Sequence, residues 1–341
     1  MIGIVKPVAG QVFQRHGFSS ARAALNHPGG ADLGYGVVSI VLSVCEISGG
    51  TWEYRVDPIG ECELNVQDWR PLDVMIAGET GVANARVPAG GWRQITIRWG
   101  RNGNWLTETT TPPIAAGEIF LIAGDSVSHG QTRMPAPPCA ASNRISVMDL
   151  ASGKWHQDDD RQPSATWPVW HQTFDNLSTL ARVPIGVIDV SRPATPAVAW
   201  RPGTQPYAKL KRAGECADRF RAVLWQTGLT DVECAIEADE YVRTMVTIRD
   251  SALKDWGFTP SWLIGTCTYG AGAADVTAQT GIRRAVQMLC KTPGFESGAD
   301  LDLLDPECRL PPDGLGGLNS RGEDLASLAW FAAIWPLIAG R

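Results

Sequence analysis

Basic clusters, paired cysteines and long apolar runs are all missing from this chain of 341 residues. Lys and Arg number 30 against 36 Asp and Glu, with no basic stripe, so nucleic acid is excluded as the main partner. The eight cysteines include no CxxC pair, which removes the spacing a zinc site needs. The expectation is therefore reduced and mostly buried thiols. The most apolar stretch, Leu325 to Ala339, is interrupted by Pro336 and is too short to span a membrane. It predicts a buried helix, and no membrane partner is expected. Met1 to Gly17 lacks a cationic and apolar leader, from which a cytoplasmic location is expected, or a periplasmic one if a leader has been removed. The acidic run Asp158 to Asp160 reads as a solvated loop, so neither a metal nor another cofactor is implied. Histidine is scarce, at five residues.

Against these absences stand 44% hydrophobic residues and 14 tryptophans, enough for a sizeable core. The first third carries short β-branched runs between turn signals: VVSIVLSVCEI, WEYRV, DVMIAG and RQITIRWG. A β-sandwich, immunoglobulin-like, is expected over 1–113, with Thr109 to Pro113 as the boundary because paired prolines end ladders. The remainder alternates apolar runs with helical patterns. Ile119–Ala123, Ile185–Val190, Ala222–Gln226 and Trp262–Thr266 are apolar on both faces, as buried parallel strands are. Between them, Trp167–Leu180, Ala235–Trp256 and Ala278–Leu289 are predicted helices. The expected architecture over 114–341 is a three-layer α/β domain with a doubly wound parallel sheet. Ser320 and Glu323 read as a capping box opening the last helix. Trp225 and Trp262, inside strands, are expected in the core. Trp155, Trp167, Trp170 and Trp200, in or beside loops, are the tryptophans to place in a substrate cleft.

In open α/β sheets ligands bind at the carboxyl ends of the strands, so the residues after each strand matter most. Gly124-Asp125-Ser126-Val127-Ser128-His129-Gly130 follows the first apolar strand. A serine at such a turn projects from the rim, and a following helix offers backbone N–H groups to a developing oxyanion. Ser191-Arg192-Pro193-Ala194-Thr195 follows the second strand, with Trp200 beyond it. Gln226-Thr227-Gly228-Leu229-Thr230-Asp231 ends the third. Pro312-Asp313-Gly314-Leu315-Gly316-Gly317-Leu318-Asn319 precedes the last helix.

The order and context of these blocks resemble the SGNH (GDSL-type) hydrolase superfamily, nearest its sialate O-acetylesterase and acetyl-xylan-esterase branch. The run Gly117-Glu118-Ile119-Phe120-Leu121-Ile122-Ala123-Gly124-Asp125-Ser126 carries the likeness best. The resemblance implies a flavodoxin-like sheet and hydrolysis of O-acyl, chiefly acetyl, esters on a carbohydrate or polysaccharide. It makes Ser126 the nucleophile, Asp313 the orienting acid, and Ala194, Gly228 and Thr230 the oxyanion-side residues, with Asp125 holding the turn. The histidine expected three residues after Asp313 falls on Gly316, or on Gly317 with one insertion. Loss of the base from a hydrolase triad costs about 10⁶ in kcat, which reduces a typical turnover of about 10 s⁻¹ to about 10⁻⁵ s⁻¹. A working enzyme needs a substitute. His129 is the best placed, three residues beyond Ser126, ahead of His16, His27, His156 and His171. An esterase with an unusual base, a pseudoenzyme that binds acylated polysaccharide, and a serine acyltransferase are the three readings this leaves.

Overall fold

A computed structural model describes residues 2–17, 33–47, 49–60, 68–125, 142–157, 168–269, 276–310 and 317–339. These form sixteen strands and six α-helices.

Ile114–Gly124 (β10) organises the molecule, because its two halves belong to different surroundings. Residues 114–117 pair in parallel with β2 (Gln11–His16), and Ile114 and Ala115 pair antiparallel with β8 (Trp92–Arg101). From Glu118 onward the same strand pairs in parallel with β13 (Ile185–Asp189) on one side and β14 (Ala222–Gly228) on the other. Every residue of β10 is buried, as expected for a strand covered on both faces.

The first 110 residues supply the antiparallel strands. β3 (Tyr35–Val44) pairs with β1 (Ile2–Lys6), β2 and β7 (Thr80–Pro88), and β7 pairs with β6 (Val74–Ala77). A second set runs β5 (Arg70–Pro71), β4 (Thr51–Pro58), β8, β9 (Asn104–Thr110). Alternation decides what faces inward: Val38, Ile40 and Leu42 of β3 share one core with Trp52, Tyr54 and Val56 of β4 and Ile95 and Ile97 of β8. The β8–β9 turn uses Asn102 and Gly103 at φ +53° and +82°, the left-handed pair that a two-residue hairpin requires. Thr109 to Pro113 is tied down: buried Thr111 donates its N–H to the Ile95 carbonyl, accepts the Ile95 N–H on its hydroxyl, and Pro113 accepts from Gly10.

The rest of the chain builds the parallel sheet, in the order β11 (Ile145–Asp149), β13, β10, β14, β15 (Ser261–Cys267), β16 (Phe295–Asp300). Without its edge strand β11, and β12 (Lys154–Gln157) paired to that, the order by sequence is 2-1-3-4-5. This is the flavodoxin-like order, in which the chain leaves the first strand for one side and then returns to the other. Alternate residues of β10 divide the core into two layers. Phe120 and Ile122 pack with α1 (Pro168–Ala181) and α6 (Ser320–Ala339). Ile119, Leu121 and Ala123 pack with α2 (Gln205–Ala217), α4 (Ala238–Trp256) and α5 (Val276–Leu289). The expected three layers are present.

Several local expectations need correction. The predicted helix from Ala235 starts later, as α4, and a separate short helix that was not expected, α3 (Leu229–Glu233), precedes it, with Ala235 at φ +52° between them. Periodicity did not reveal α2, β12 or β16. The cap of α6 is Asn319, whose Oδ1 accepts the Gly322 N–H at 3.0 Å, so Ser320 is already the first helical residue. Residues 325–339 do lie in a helix packed into the core. Of six cysteines among the described residues, only Cys267 and Cys308 are buried, while Cys45 and Cys234 are exposed. Among the described residues, no helix is long and apolar enough to cross a membrane and no cluster of His, Cys, Asp and Glu could hold a metal.

Candidate active site at the carboxyl end of the central strands

The 2-1-3-4-5 order opens a crevice at the carboxyl ends of β10 and β14, where the strand order reverses. Gly124 ends β10 at φ +121°, and a side chain there would place Cβ 2.0 Å from the Gln226 carbonyl oxygen. Only glycine lets β10 and β14 approach this closely while the chain turns. Asp125 follows, 1% exposed, and its N–H donates to the same carbonyl at 3.1 Å. Its carboxylate accepts the Thr230 N–H at 3.4 Å, a contact made at the first turn of α3, where backbone donors lack helical partners. The expected role of Asp125, holding the turn, has this geometry.

The three strand ends called from sequence converge here. The Arg192 N–H donates to the Gly124 carbonyl at 2.7 Å, joining the β13 exit to the β10 exit. Fully buried Asp231 accepts the Ala197 N–H at 2.8 Å, joining the β14 exit to the same loop. Gly228 turns at φ +134°, where an added Cβ would meet the Cys267 carbonyl at 2.8 Å. Ala194 is exposed and held at φ +49°, a left-handed conformation that non-glycine residues seldom adopt. Thr195 beside it bonds its hydroxyl to the Pro193 carbonyl at 2.9 Å. Thr230 is buried at the crevice wall.

Ser126, His129 and Asp313 lie outside the described residues. The residues flanking Asp313 are placed: the Leu310 N–H donates to the Gly317 carbonyl at 2.8 Å, and Arg309 bridges Leu318. Arg309 lies over the Tyr269 ring and donates to the Leu301 carbonyl at 2.7 Å. Buried Cys267, at the end of β15, links this stem to the crevice. Burial pushes its thiol up to about 12, with Arg309 favouring the thiolate and Asp302 and Asp125 opposing it. The stem and Asp125 therefore share one rim of the sheet.

The alternative histidines separate by position. His16 ends β2 near Arg221 and Arg219, and burial followed by these cations lowers its pKa. It belongs to the amino end of the parallel sheet: Glu118, bonded to the preceding residue Arg15, is seven residues before Asp125, or roughly 23 Å of strand. His156 is exposed on β12 and level with the middle of β13, two strands from β10. His171 is buried in the first turns of α1, which begins at the carboxyl side of the sheet before descending to β13. His27 lies outside the described residues.

The tryptophan assignments to a cleft are corrected. Trp200 is fully buried and packs edge-on against Trp225 at 5.1 Å, so it has no open face for a sugar. Trp170 packs on Trp330 at 4.8 Å, and Trp155 is also buried. Sequence position misled because Trp155 lies on β12, Trp170 in the first turn of α1 and Trp200 in a 3₁₀ turn, and each buries its indole. Trp225 and Trp262 are core residues, as expected. Trp167 lies outside the described residues. Gln226 was quoted in its block without a role. Its side-chain oxygen accepts Trp330 Nε1 at 3.0 Å while its carbonyl accepts Asp125, so it ties α6 to the turn. A glutamine ending the apolar run AVLWQ was the available signal. Asp302, missed entirely, accepts both the N–H and the hydroxyl of Thr268, the Tyr269 N–H and the Arg283 guanidinium, fixing the β15 exit.

Superposition on solved structures identifies the architecture. A carbohydrate acetylesterase from Xanthomonas citri matches at a TM-score of 0.62 and 14% identity, over 99% of this chain and 76% of that one. The chain has the SGNH-hydrolase fold. A family two carbohydrate esterase from Clostridium thermocellum, in complex with cellohexaose, aligns over 98% of this chain and 97% of its own at 11% identity and a TM-score of 0.38. A candidate SGNH hydrolase from Slackia heliotrinireducens covers 64% of this chain and 98% of its own at 16% identity and 0.39. No protein-family model and no curated protein matches the sequence. The Gly124–Asp125 turn lies at the carboxyl end of β10 in this fold.

Proposed function

We propose that this SGNH-fold protein is a carbohydrate O-acyl esterase, with acetyl as the acyl group and a β-sandwich over 1–113 preceding the catalytic domain over 114–341. The observation that carries the reading is the Asp125 turn at the crevice between β10 and β14, immediately before Ser126 in sequence. Ser126 Oγ attacks the ester carbonyl carbon, its proton passes to the His129 imidazole, and the sugar hydroxyl departs with that proton. Water then attacks the acyl-enzyme by the reverse proton path. Thr230 contributes its hydroxyl on the oxyanion side, because its backbone N–H is engaged by Asp125. Ala194 contributes its N–H and Gly228 the open turn. Asp313 orients the base. The fold likeness to a carbohydrate acetylesterase supports the substrate class.

The test uses p-nitrophenyl acetate, acetylated xylan and a fluorophosphonate probe, with Ser126→Ala and His129→Ala beside the unmodified protein. Labelling and acetate release are expected from the unmodified protein alone. Equal background from the unmodified and Ser126→Ala proteins refutes the esterase and leaves a binding protein. Faster acyl transfer to added oligosaccharide than to water reassigns it as an acyltransferase.

A further inference from the structure

The outer face of β4, β8 and β9 carries a cluster of guanidiniums, carboxylates and indole rings. The Arg98 guanidinium lies 3.8 Å from the Trp69 ring centroid and 3.9 Å from that of Trp105. Arg55 lies 4.9 Å from Trp69. Register explains the assembly. Arg98 faces Glu53 across β4 and Glu108 across β9, Gly100 faces Trp105, and all of these point away from the core that Trp52, Ile97 and Trp99 fill. Glu53 grips Arg98 through Nε at 3.0 Å and Nη2 at 2.6 Å, and Asp57 grips Arg55 through Nε at 2.8 Å. The aromatic rings are thus braced before any ligand arrives. Trp105 remains 43% exposed on an edge strand although Arg98 lies against it.

We propose that this face is a second, non-catalytic site that binds a neutral polysaccharide chain. The chemistry selects that occupant. Both guanidiniums are already paired, by Asp57 and Glu53, and Glu108 adds a third carboxylate, so the face offers no positive field to a polyanion. Its indole rings are interspersed with carboxylates, guanidiniums and the exposed Thr110 hydroxyl, and Leu106 beside Trp105 is 61% exposed. A protein hot spot instead needs a continuous patch from which water is excluded. A pyranose presents the complementary pattern, with a C–H face for the ring and a rim of hydroxyls for the charged groups. Carbohydrate is also the substrate class proposed above, and the present inference rests on that reading only for the source of the polymer.

Affinity electrophoresis in gels containing xylan, glucomannan or hydroxyethyl cellulose tests the site, with Ser126→Ala as the parent to prevent turnover. Retardation by at least one polymer is expected. Trp105→Ala should weaken it roughly tenfold, and Trp105→Phe, which keeps a ring, should restore part of it. Equal retardation of the parent and Trp105→Ala, or retardation by none of the polymers, overturns the proposal. Concentration-dependent self-association lost in Trp105→Ala, without polymer binding, also overturns it in favour of a protein contact. Ester hydrolysis by the protein with Ser126 intact is read separately, so either site can fail while the other stands.

Discussion

Glu118→Gln should damage the fold far more than its small change in shape suggests. Glu118 has no exposed surface and sits where β10 passes from the antiparallel strands into the parallel sheet. Its Oε1 accepts Arg15 Nε at 2.7 Å and Arg221 Nη2 at 3.1 Å. Oε2 accepts Gln14 Nε2 at 2.7 Å and Arg221 Nε at 2.8 Å. The amide removes the negative charge and leaves the Arg15 cation, itself 2% exposed, without its counter-ion. Breaking a buried pair from one side costs about 3–5 kcal/mol. Arg221, at 24% exposure, relaxes toward water and holds the cost toward the lower end of that range. With an unfolding entropy of about 2.1 cal/mol/K per residue, the whole chain has about 0.7 kcal/mol/K, so the melting temperature should fall by about 4–7 °C. Calorimetry with a matched urea titration measures both quantities. Glu118→Leu combined with Arg15→Met should recover much of the loss, because a packed apolar pair carries no desolvation cost. A Glu118→Gln protein within about 1 kcal/mol of the parent would refute the junction argument.

Gly124→Ala should abolish soluble expression or lower the melting temperature sharply, since the new Cβ meets backbone at 2.0 Å and no side chain can yield. Asp125→Ala should cost about 1–3 kcal/mol by leaving buried donors unmet, and under the proposed function it should also suppress fluorophosphonate labelling of Ser126. Mass spectrometry after iodoacetamide treatment at pH 8 should find Cys234 alkylated and Cys267 intact. The Cys267 thiol, raised to about 12 by burial, stays protonated when folded. Its contribution to stability is therefore complete below the unfolded thiol value, about 8.5, and is lost as pH rises from there toward 12. Alkaline unfolding monitored between pH 8 and 12 should be delayed in Cys267→Ala after correction for the cavity, and an unchanged profile would contradict this linkage. Tyr207, raised above its ordinary range by burial and then by its hydrogen bond to Asp255, loses its contribution as pH climbs beyond about 10. A Tyr207→Phe variant measured over that range should show a shallower decline.

The four central strands of the parallel sheet were legible because a strand buried on both faces has to be apolar at every position, and Ile119–Ala123 and Trp262–Thr266 are; β11, ISVMD, was not. The short motifs after the strands were legible too, since Gly124, Gly228 and Asp231 answer to local demands: a close backbone approach, a left-handed turn and an acceptor for a loop N–H. β16, FESGAD, was not, because it mixes charge and glycine on the sheet's edge. Capping by Asn319 was missed for a different reason, two acceptable caps standing side by side in sequence.

By itself, then, the sequence determined the central strands and most of the long helices, the glycine-dependent turns and the layered α/β class, all of which follow from periodicity and backbone sterics within a few residues. Only the tertiary structure decided the rest. It turned loop tryptophans such as Trp200 into core, assigned His16 to the amino end of the sheet, and buried Glu118 among Arg15, Gln14 and Arg221. These depend on which distant segments meet, and burial and pairing over a hundred residues leave no local pattern to read.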